Sequence, residues 1–147
     1  MNNNLTNERE KLKSVIDTKC CPDQWNKVGN SCYFTSTSQE TWYDSKRVCE
    51  KDNAHLVIIS SKEEQKYLTT FGLRIWIGLT DEETEEDWKW VNGEPVTKPF
   101  WRDNQPDNYQ RNEHCAELAG RSGNSLKNWN DLDCKRKLHF TCEKVLP

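Results

Sequence analysis

The sequence has no apolar run of about eighteen residues, so we expect no membrane-spanning helix. It has no Cys-x-x-Cys pair and no Cys/His cluster, which excludes the common structural zinc motifs. Its 21 Lys and Arg against 24 Asp and Glu give a net charge of −3, which argues against nucleic acid as the partner. No secretory signal is visible after Met1.

Cysteine and tryptophan are the abundant special residues, with seven of each in a chain that is only 33% hydrophobic. Cysteines without metal-type spacing indicate disulfides formed in an oxidising compartment. Without a targeting segment, that compartment indicates an ectodomain cut from a larger protein or a secreted protein, and hence an extracellular location. A length of 147 residues predicts one domain with a short extension, and a core built on few large aromatics.

The local patterns predict a mixed α+β domain. Ser38 is the expected N-cap of a first helix, and a capping box beginning at Ser61 opens a second helix that Gly72 ends. Strands are expected at residues 31–36, 53–59, 75–79, 88–91, 115–118, 126–130 and 139–143. Residues 94–113 are expected to form a loop, and a structureless segment of that length is typical of a functional loop.

Hard oxygen ligands gather in and after this loop. The set consists of three carboxylates and two side-chain amides: Gln105, Asp107, Glu113, Asn130 and Asp131. Calcium takes six to eight oxygen ligands in a flexible shell, so this set predicts a Ca²⁺ site. The alternative for the Gln-Pro-Asp tripeptide is an ordinary turn.

The same stretch resembles the sugar-binding half of a C-type lectin domain. The resemblance lies in Gln-Pro-Asp, in a glutamate two residues before a cysteine, and in Trp-Asn-Asp before another cysteine. It extends from Cys21 to about Lys144, and the residues that carry it in family order are Cys21-Pro22, Trp25, Cys32-Tyr33, Trp42, Cys49, Ala54-His55-Leu56, Trp76-Ile77-Gly78-Leu79, Trp88-Lys89-Trp90 and Cys142. Within the family, the chain resembles the asialoglycoprotein, macrophage galactose-type and dendritic-cell lectins.

The resemblance implies a C-type lectin-like fold for residues 21–147, with two helices, short mixed strands, a long calcium-binding loop and three disulfides. Sequence alone leaves 15 pairings open for six cysteines. The resemblance implies the pairs Cys21–Cys32, Cys49–Cys142 and Cys115–Cys134. Cys20 is then left to link another chain, to stay free, or to compete with Cys21 for its partner.

The resemblance also implies how a sugar binds. Two vicinal hydroxyls coordinate the Ca²⁺ while Gln105 and Asn130 donate to them and Asp107, Glu113 and Asp131 accept. Gln-Pro-Asp is the galactose-type order, whereas mannose-type members carry Glu-Pro-Asn. Tyr109 stands where galactose-type receptors place Trp, and their glycine-rich insertion is absent. We therefore expect weak binding to galactose or GalNAc on glycoproteins or microbial surfaces, with clustering supplying avidity.

A second cation set is indicated by Asp81, Glu85 and Asn108, with Glu113 completing it. These match the family's auxiliary calcium positions, but the further acid of that set is His114 here. The alternative is a solvated acidic loop over residues 81–87.

Two expectations remain, one for the N-terminal residues and one for the alternative functions. Leu5, Leu12 and Val15-Ile16 follow a roughly seven-residue spacing, which indicates a coiled-coil neck in residues 1–20 that makes a homo-oligomer, or else a frayed tail. The alternatives to a galactose-type lectin are a protein receptor on the same fold, a mannose-type or broad lectin, and a calcium-dependent ice-binding protein. We expect no enzyme, because no nucleophile, base and orienter can be placed around His55 and His139.

Overall fold

The computed structural model describes residues 21–106, 112–120 and 124–147. Within these ranges the chain forms a mixed sheet with two helices, and the predicted α+β class is confirmed. The elements in chain order are β1 (Asn26–Val28), β2 (Ser31–Thr35), α1 (Trp42–Lys51), β3 (His55–Leu56), α2 (Lys62–Thr69), β4 (Arg74–Thr80), β5 (Lys89–Trp90), β6 (Cys115–Ala119), β7 (Trp129–Leu132) and β8 (His139–Val145). The predicted neck in residues 1–20 lies outside the described residues.

The sheet runs in the order β1-β2-β8-β4-β6-β7, with β3 beside β8 and β5 beside β4. Strands β4 and β8 pair in parallel, and the other pairs between named strands are antiparallel. The order places β6 and β7 at the end of the sheet opposite the N-terminal strands. The predicted calcium ligands Glu113, Asn130 and Asp131 belong to this end.

The helix starts follow local hydrogen bonding. The Ser61 hydroxyl accepts the Glu64 N–H at 3.1 Å, which confirms the predicted start of α2. The prediction of Ser38 as the first N-cap was wrong, because Thr41 caps α1 and accepts the Asp44 N–H at 3.2 Å. Glu40 forms an isolated β-bridge with Leu138, so the chain stays extended until Thr41.

Three predicted strands differ clearly from the observed ones in extent, the other four agree to within two residues at each end, and β1 was not predicted. Residues 53–59 supply only β3, and residues 88–91 supply only β5. Beyond Leu56 the chain makes isolated backbone hydrogen bonds to its neighbours. The Val57 N–H donates to the Thr141 carbonyl at 2.9 Å, and the Val57 carbonyl accepts from the Gly78 N–H at 2.8 Å. The strand predicted at residues 126–130 is β7, which begins at Trp129.

Three disulfides are present among the described residues, as expected. They join Cys21 to Cys32, Cys49 to Cys142 and Cys115 to Cys134, which are the pairs that the resemblance implies. Cys49–Cys142 ties α1 to β8 across 93 residues, and Cys115–Cys134 ties the start of β6 to the chain after β7. The Cys115–Cys134 disulfide thus lies at the end of the sheet that carries the predicted calcium ligands.

Trp129 is a core residue that directly precedes the predicted ligands Asn130 and Asp131. Its ring is fully buried and lies 5.5 Å from the rings of Trp90, Phe100 and Trp101. Its indole N–H donates to Gln65 Oε1 at 2.9 Å, so α2 is joined to β7 through one hydrogen bond. Burial of an indole with its N–H satisfied fixes the ring and hence the strand that follows it.

Two buried glutamates sit inside the sheet with different partners. Glu117 is fully buried and accepts from Arg74 Nε at 2.7 Å and Arg74 Nη2 at 2.6 Å. Glu143 accepts from the Ser31 hydroxyl at 2.8 Å and the Ile58 N–H at 3.2 Å. Burial raises the pKa of Glu143 above its ordinary value, although both of these hydrogen bonds oppose the shift.

The first prediction concerns the pH dependence of stability. A raised pKa means that the folded protein holds the Glu143 proton more tightly than the unfolded chain. The group therefore contributes stability at pH values below its ordinary pKa of 4.5, and this contribution is lost as the pH rises through the folded value. We expect the free energy of unfolding of the wild type minus that of Glu143→Gln to fall with rising pH in urea denaturation. A difference that stays constant from about pH 4 to 8 would contradict this.

The second prediction concerns the Arg74–Glu117 pair. Arg74→Met leaves a fully buried carboxylate without its bidentate partner, and the Arg74 side chain is 45% exposed in the pair. We expect the free energy of unfolding to fall by about 2–3 kcal/mol. Lys127→Met is the matched control, because Lys127 meets Asp103 at 3.4 Å on the surface, and it should change stability by under about 0.5 kcal/mol. Equal effects of the two variants in chemical denaturation would refute the assignment.

Candidate functional site

The predicted ligands are arranged around β7. Asp131 is paired with Ala116 and Asn130 with Glu117 in the β6–β7 ladder. On the other side of β7, Trp101 forms a β-bridge with Trp129, and the Arg102 N–H donates to the Trp129 carbonyl at 2.9 Å. The strand that carries Asn130 and Asp131 therefore lies between two segments, one leading to Gln105 and the other coming from Glu113.

Gln105 lies on a tight turn just beyond that bridge. Its N–H donates to the Arg102 carbonyl at 3.0 Å, and Asn104 before it has a φ of 66°. The Gln105-Pro106 peptide bond is cis. Among the described residues, the Gln105 Oε1 atom is buried and has no hydrogen-bond partner. A buried amide oxygen without a donor costs free energy, so this atom is a candidate ligand for a cation.

Asn130 is oriented by the buried ion pair. Its Nδ2 donates to Glu117 Oε2 at 2.8 Å, and Arg74 holds the same oxygen at 2.6 Å. One amide hydrogen of Asn130 is thus used inside the protein. The other hydrogen and the Oδ1 atom remain for further bonds, since an amide carries two donors and an acceptor. Sequence reasoning missed this Arg74–Glu117 support, which depends on the register of three strands.

Asp131 and Glu113 supply the carboxylates of the site among the described residues. Asp131 is fully buried and Glu113 is partly buried, and both make interactions within the protein. The Asn112 amide donates to Asp133 Oδ2 at 3.0 Å, which holds the segment before Glu113 against the chain that follows β7. Asp107, Asn108 and Tyr109, predicted for the metal and sugar sites, lie outside the described residues.

The chemistry of this donor set fits calcium. The described members offer carboxylate and amide oxygens, which are the hard ligands that Ca²⁺ takes. The buried Gln105 Oε1 provides an atom that a cation would satisfy. No histidine or cysteine is among the predicted ligands, so the set lacks the nitrogen and sulfur ligands that a softer metal prefers.

A second cluster brings together Asp81, Glu85 and His114. One ligand atom of each lies within 4.8 Å of the others. His114 Nδ1 is 3.0 Å from Asp81 Oδ1 and 3.5 Å from Glu85 Oε1. Burial alone would lower the pKa of His114. The hydrogen bond with Asp81 and the negative charges of Asp81 and Glu85 outweigh burial and raise the pKa above its ordinary value. Partial desolvation and the Asp81 charge raise the pKa of Glu85.

The other histidines contact the backbone. His55 Nδ1 lies 2.8 Å from the Leu56 carbonyl oxygen, and His139 Nδ1 lies 3.0 Å from that of Ser36. Trp76, Trp88 and Trp90 are buried, in accord with a core role. In the part of the chain that the structure describes, no helix is both long and apolar enough to cross a bilayer.

Comparison with known proteins gives consistent matches. The model of the lectin C-type domain family matches residues 38–144. C-type lectin domain family 4 member E from Mus musculus is 40% identical over 129 residues, covering 84% of this chain and 60% of that protein. Asialoglycoprotein receptor 2 from Rattus norvegicus is 38% identical over 136 residues, covering 86% of this chain and 43% of that protein. The chain thus spans about half the length of these relatives.

A solved structure agrees with the sequence matches. The carbohydrate-recognition domain of the mouse scavenger receptor C-type lectin has a TM-score of 0.79 and 38% identity. The match covers 86% of this chain and 98% of that domain. The resemblance seen in the sequence is confirmed, and the chain belongs to the C-type lectin domain family.

Proposed function

We propose that this chain binds glycans through a loop-bound Ca²⁺, with galactose or GalNAc preferred. The observation that carries the proposal is the buried Gln105 Oε1, which has no hydrogen-bond partner among the described residues. Gln105 belongs to the segment that forms a β-bridge with Trp129. Trp129 directly precedes Asn130 and Asp131 in the sequence. A cation at this place would satisfy the amide oxygen and neutralise the nearby carboxylates.

The proposed ligands are Gln105, Asp107, Glu113, Asn130 and Asp131. Bound calcium would offer open coordination positions to two vicinal hydroxyls of a sugar. Each hydroxyl both donates and accepts, so it would also accept from an amide of Gln105 or Asn130 and donate to a carboxylate. The ion pair of Arg74 with Glu117 supports this role, because it holds the Asn130 amide in one orientation.

The proposed sugar preference comes from the order of amide and acid in Gln105-Pro106-Asp107, which is the galactose-type order. Tyr109 would stack on the apolar face of the sugar with a smaller ring than Trp offers. A relative named as an asialoglycoprotein receptor supports a glycoprotein ligand. We infer weak binding per site, so that avidity would require several sites.

The proposed setting is extracellular, as the ectodomain of a type II membrane protein or as a secreted lectin. Three disulfides among the described residues support an oxidising compartment. Residues 1–20 are proposed as a neck that joins copies of the domain spanning residues 21–147. The relatives reported above are lectins and receptors, which supports binding rather than catalysis.

The third prediction is calcium-dependent retention on a galactose matrix. The protein should bind galactose-agarose in calcium and elute with EDTA, because removal of the metal removes the surface that the hydroxyls coordinate. Column retention and elution volume provide the measurement. Retention on mannose-agarose instead would overturn the sugar preference. Absence of retention on every glycan tested, with calcium binding confirmed separately, would shift the proposal to a protein ligand or to ice.

The fourth prediction exchanges amide and acid in the loop. The double variant Gln105→Glu/Asp107→Asn keeps the oxygen count and the formal charge but reverses their order. We expect galactose affinity to fall by about tenfold or more, since hydrogen bonds to charged groups are worth about 1.5–3 kcal/mol. Mannose affinity should rise. Lys98→Gln, in the same loop but outside the ligand set, is the control, and calcium affinity of both variants should stay near wild type.

A further inference from the structure

The cluster of Asp81, Glu85 and His114 differs in chemistry from the proposed calcium site. Two carboxylate oxygens and one imidazole nitrogen converge within 4.8 Å. Zinc binds nitrogen and oxygen at about 2.0–2.2 Å, so neighbouring ligands of a tetrahedral zinc lie roughly 3.3 Å apart. The two contacts of His114 Nδ1, at 3.0 Å with Asp81 and 3.5 Å with Glu85, bracket that separation.

The backbone holds the cluster in place. The Asp81 N–H donates to the His114 carbonyl at 3.1 Å, and the Thr80 hydroxyl donates to the same carbonyl at 2.6 Å. Asp81 is nearly fully buried, and its Oδ2 accepts the Glu86 N–H at 2.8 Å while its Oδ1 faces His114. A ligating carboxylate whose second oxygen is hydrogen-bonded is the support that metal sites commonly have.

The expected second calcium does not fit these residues. Calcium takes six to eight oxygens, and the imidazole of His114 offers nitrogen at the position where the family has an acid. Glu113, which was expected to complete this set, is shared with the proposed sugar site, so the distinguishing residue is His114. An imidazole among carboxylates favours a borderline divalent ion.

We propose that Asp81, Glu85 and His114 form a zinc-class site rather than a second calcium site. Three protein ligands would leave a fourth position for water, as in open zinc sites. The ion would replace the proton that lies between His114 Nδ1 and Asp81 Oδ1. The surrounding acidic residues, Glu82, Glu83, Glu86 and Asp87, would raise the local concentration of any cation.

The fifth prediction is that Zn²⁺ binds while calcium is saturating. The test uses the full chain with Cys20→Ser, so that this thiol supplies no ligand, after dialysis against a chelator. Calorimetric titration with Zn²⁺ in millimolar calcium should give one zinc per chain. His114→Ala should lower zinc affinity by at least about tenfold, because it removes one of three ligands. His114→Asp should weaken zinc binding and allow calcium to compete for the site.

Two further variants keep the test decisive. Glu85→Gln alters an exposed ligand without disturbing the core and should also weaken zinc binding. Glu83→Gln, exposed in the same acidic loop but outside the cluster, should bind zinc as the wild type does. Zinc affinity unchanged in His114→Ala, or zinc displaced from the wild type by calcium, would overturn the proposal. Galactose retention is measured separately, so failure of either site is distinguishable from failure of the other.

Discussion

The burial of Trp129 is the constraint on which the binding end of the molecule depends. Its ring packs against Trp90, Phe100 and Trp101, and its N–H is bonded to Gln65 on α2. An aromatic side chain fixed on every side leaves the strand after it little freedom. The next two residues are Asn130 and Asp131. A buried aromatic side chain therefore positions the two polar residues that follow it, and this side chain and two of the five proposed ligands lie within one short strand.

Buried carboxylates are a second feature of the structure, and Glu117, Glu143 and Asp81 each have different hydrogen-bond partners. Glu117 has a guanidinium, Glu143 has a hydroxyl and a backbone N–H, and Asp81 has an imidazole and a backbone N–H. Ionised groups out of water need partners of this quality. The Glu117 carboxylate that Arg74 holds also accepts from the Asn130 amide, so the ion pair supports one residue of the proposed sugar site.

Local patterns predicted much of the fold. The Ser61 capping box is a short-range signal, and the second helix agrees with it. The three disulfides agree with the pairs that the resemblance to the family implies, which the sequence by itself left open. The start of α1 depends instead on the pairing of Glu40 with Leu138, which lies far along the chain. Likewise, the residue types of the proposed site come from the sequence, but the unsatisfied Gln105 oxygen and the Arg74–Glu117–Asn130 contacts could not be predicted from it, because they arise from tertiary packing.

The two proposed metal sites lie next to each other in the sequence, yet they would prefer different metals. Glu113 and His114 are neighbours at the entry to β6, yet one is assigned to an oxygen shell and the other to a mixed shell. The carbonyl of His114 is held by Thr80 and Asp81, so the scaffold fixes where the side chain begins and leaves its chemistry open. Ligand type then decides between hard and borderline cations. Under the two proposals, a nitrogen at this single position would give the two sites different metal preferences without a change in the fold around them.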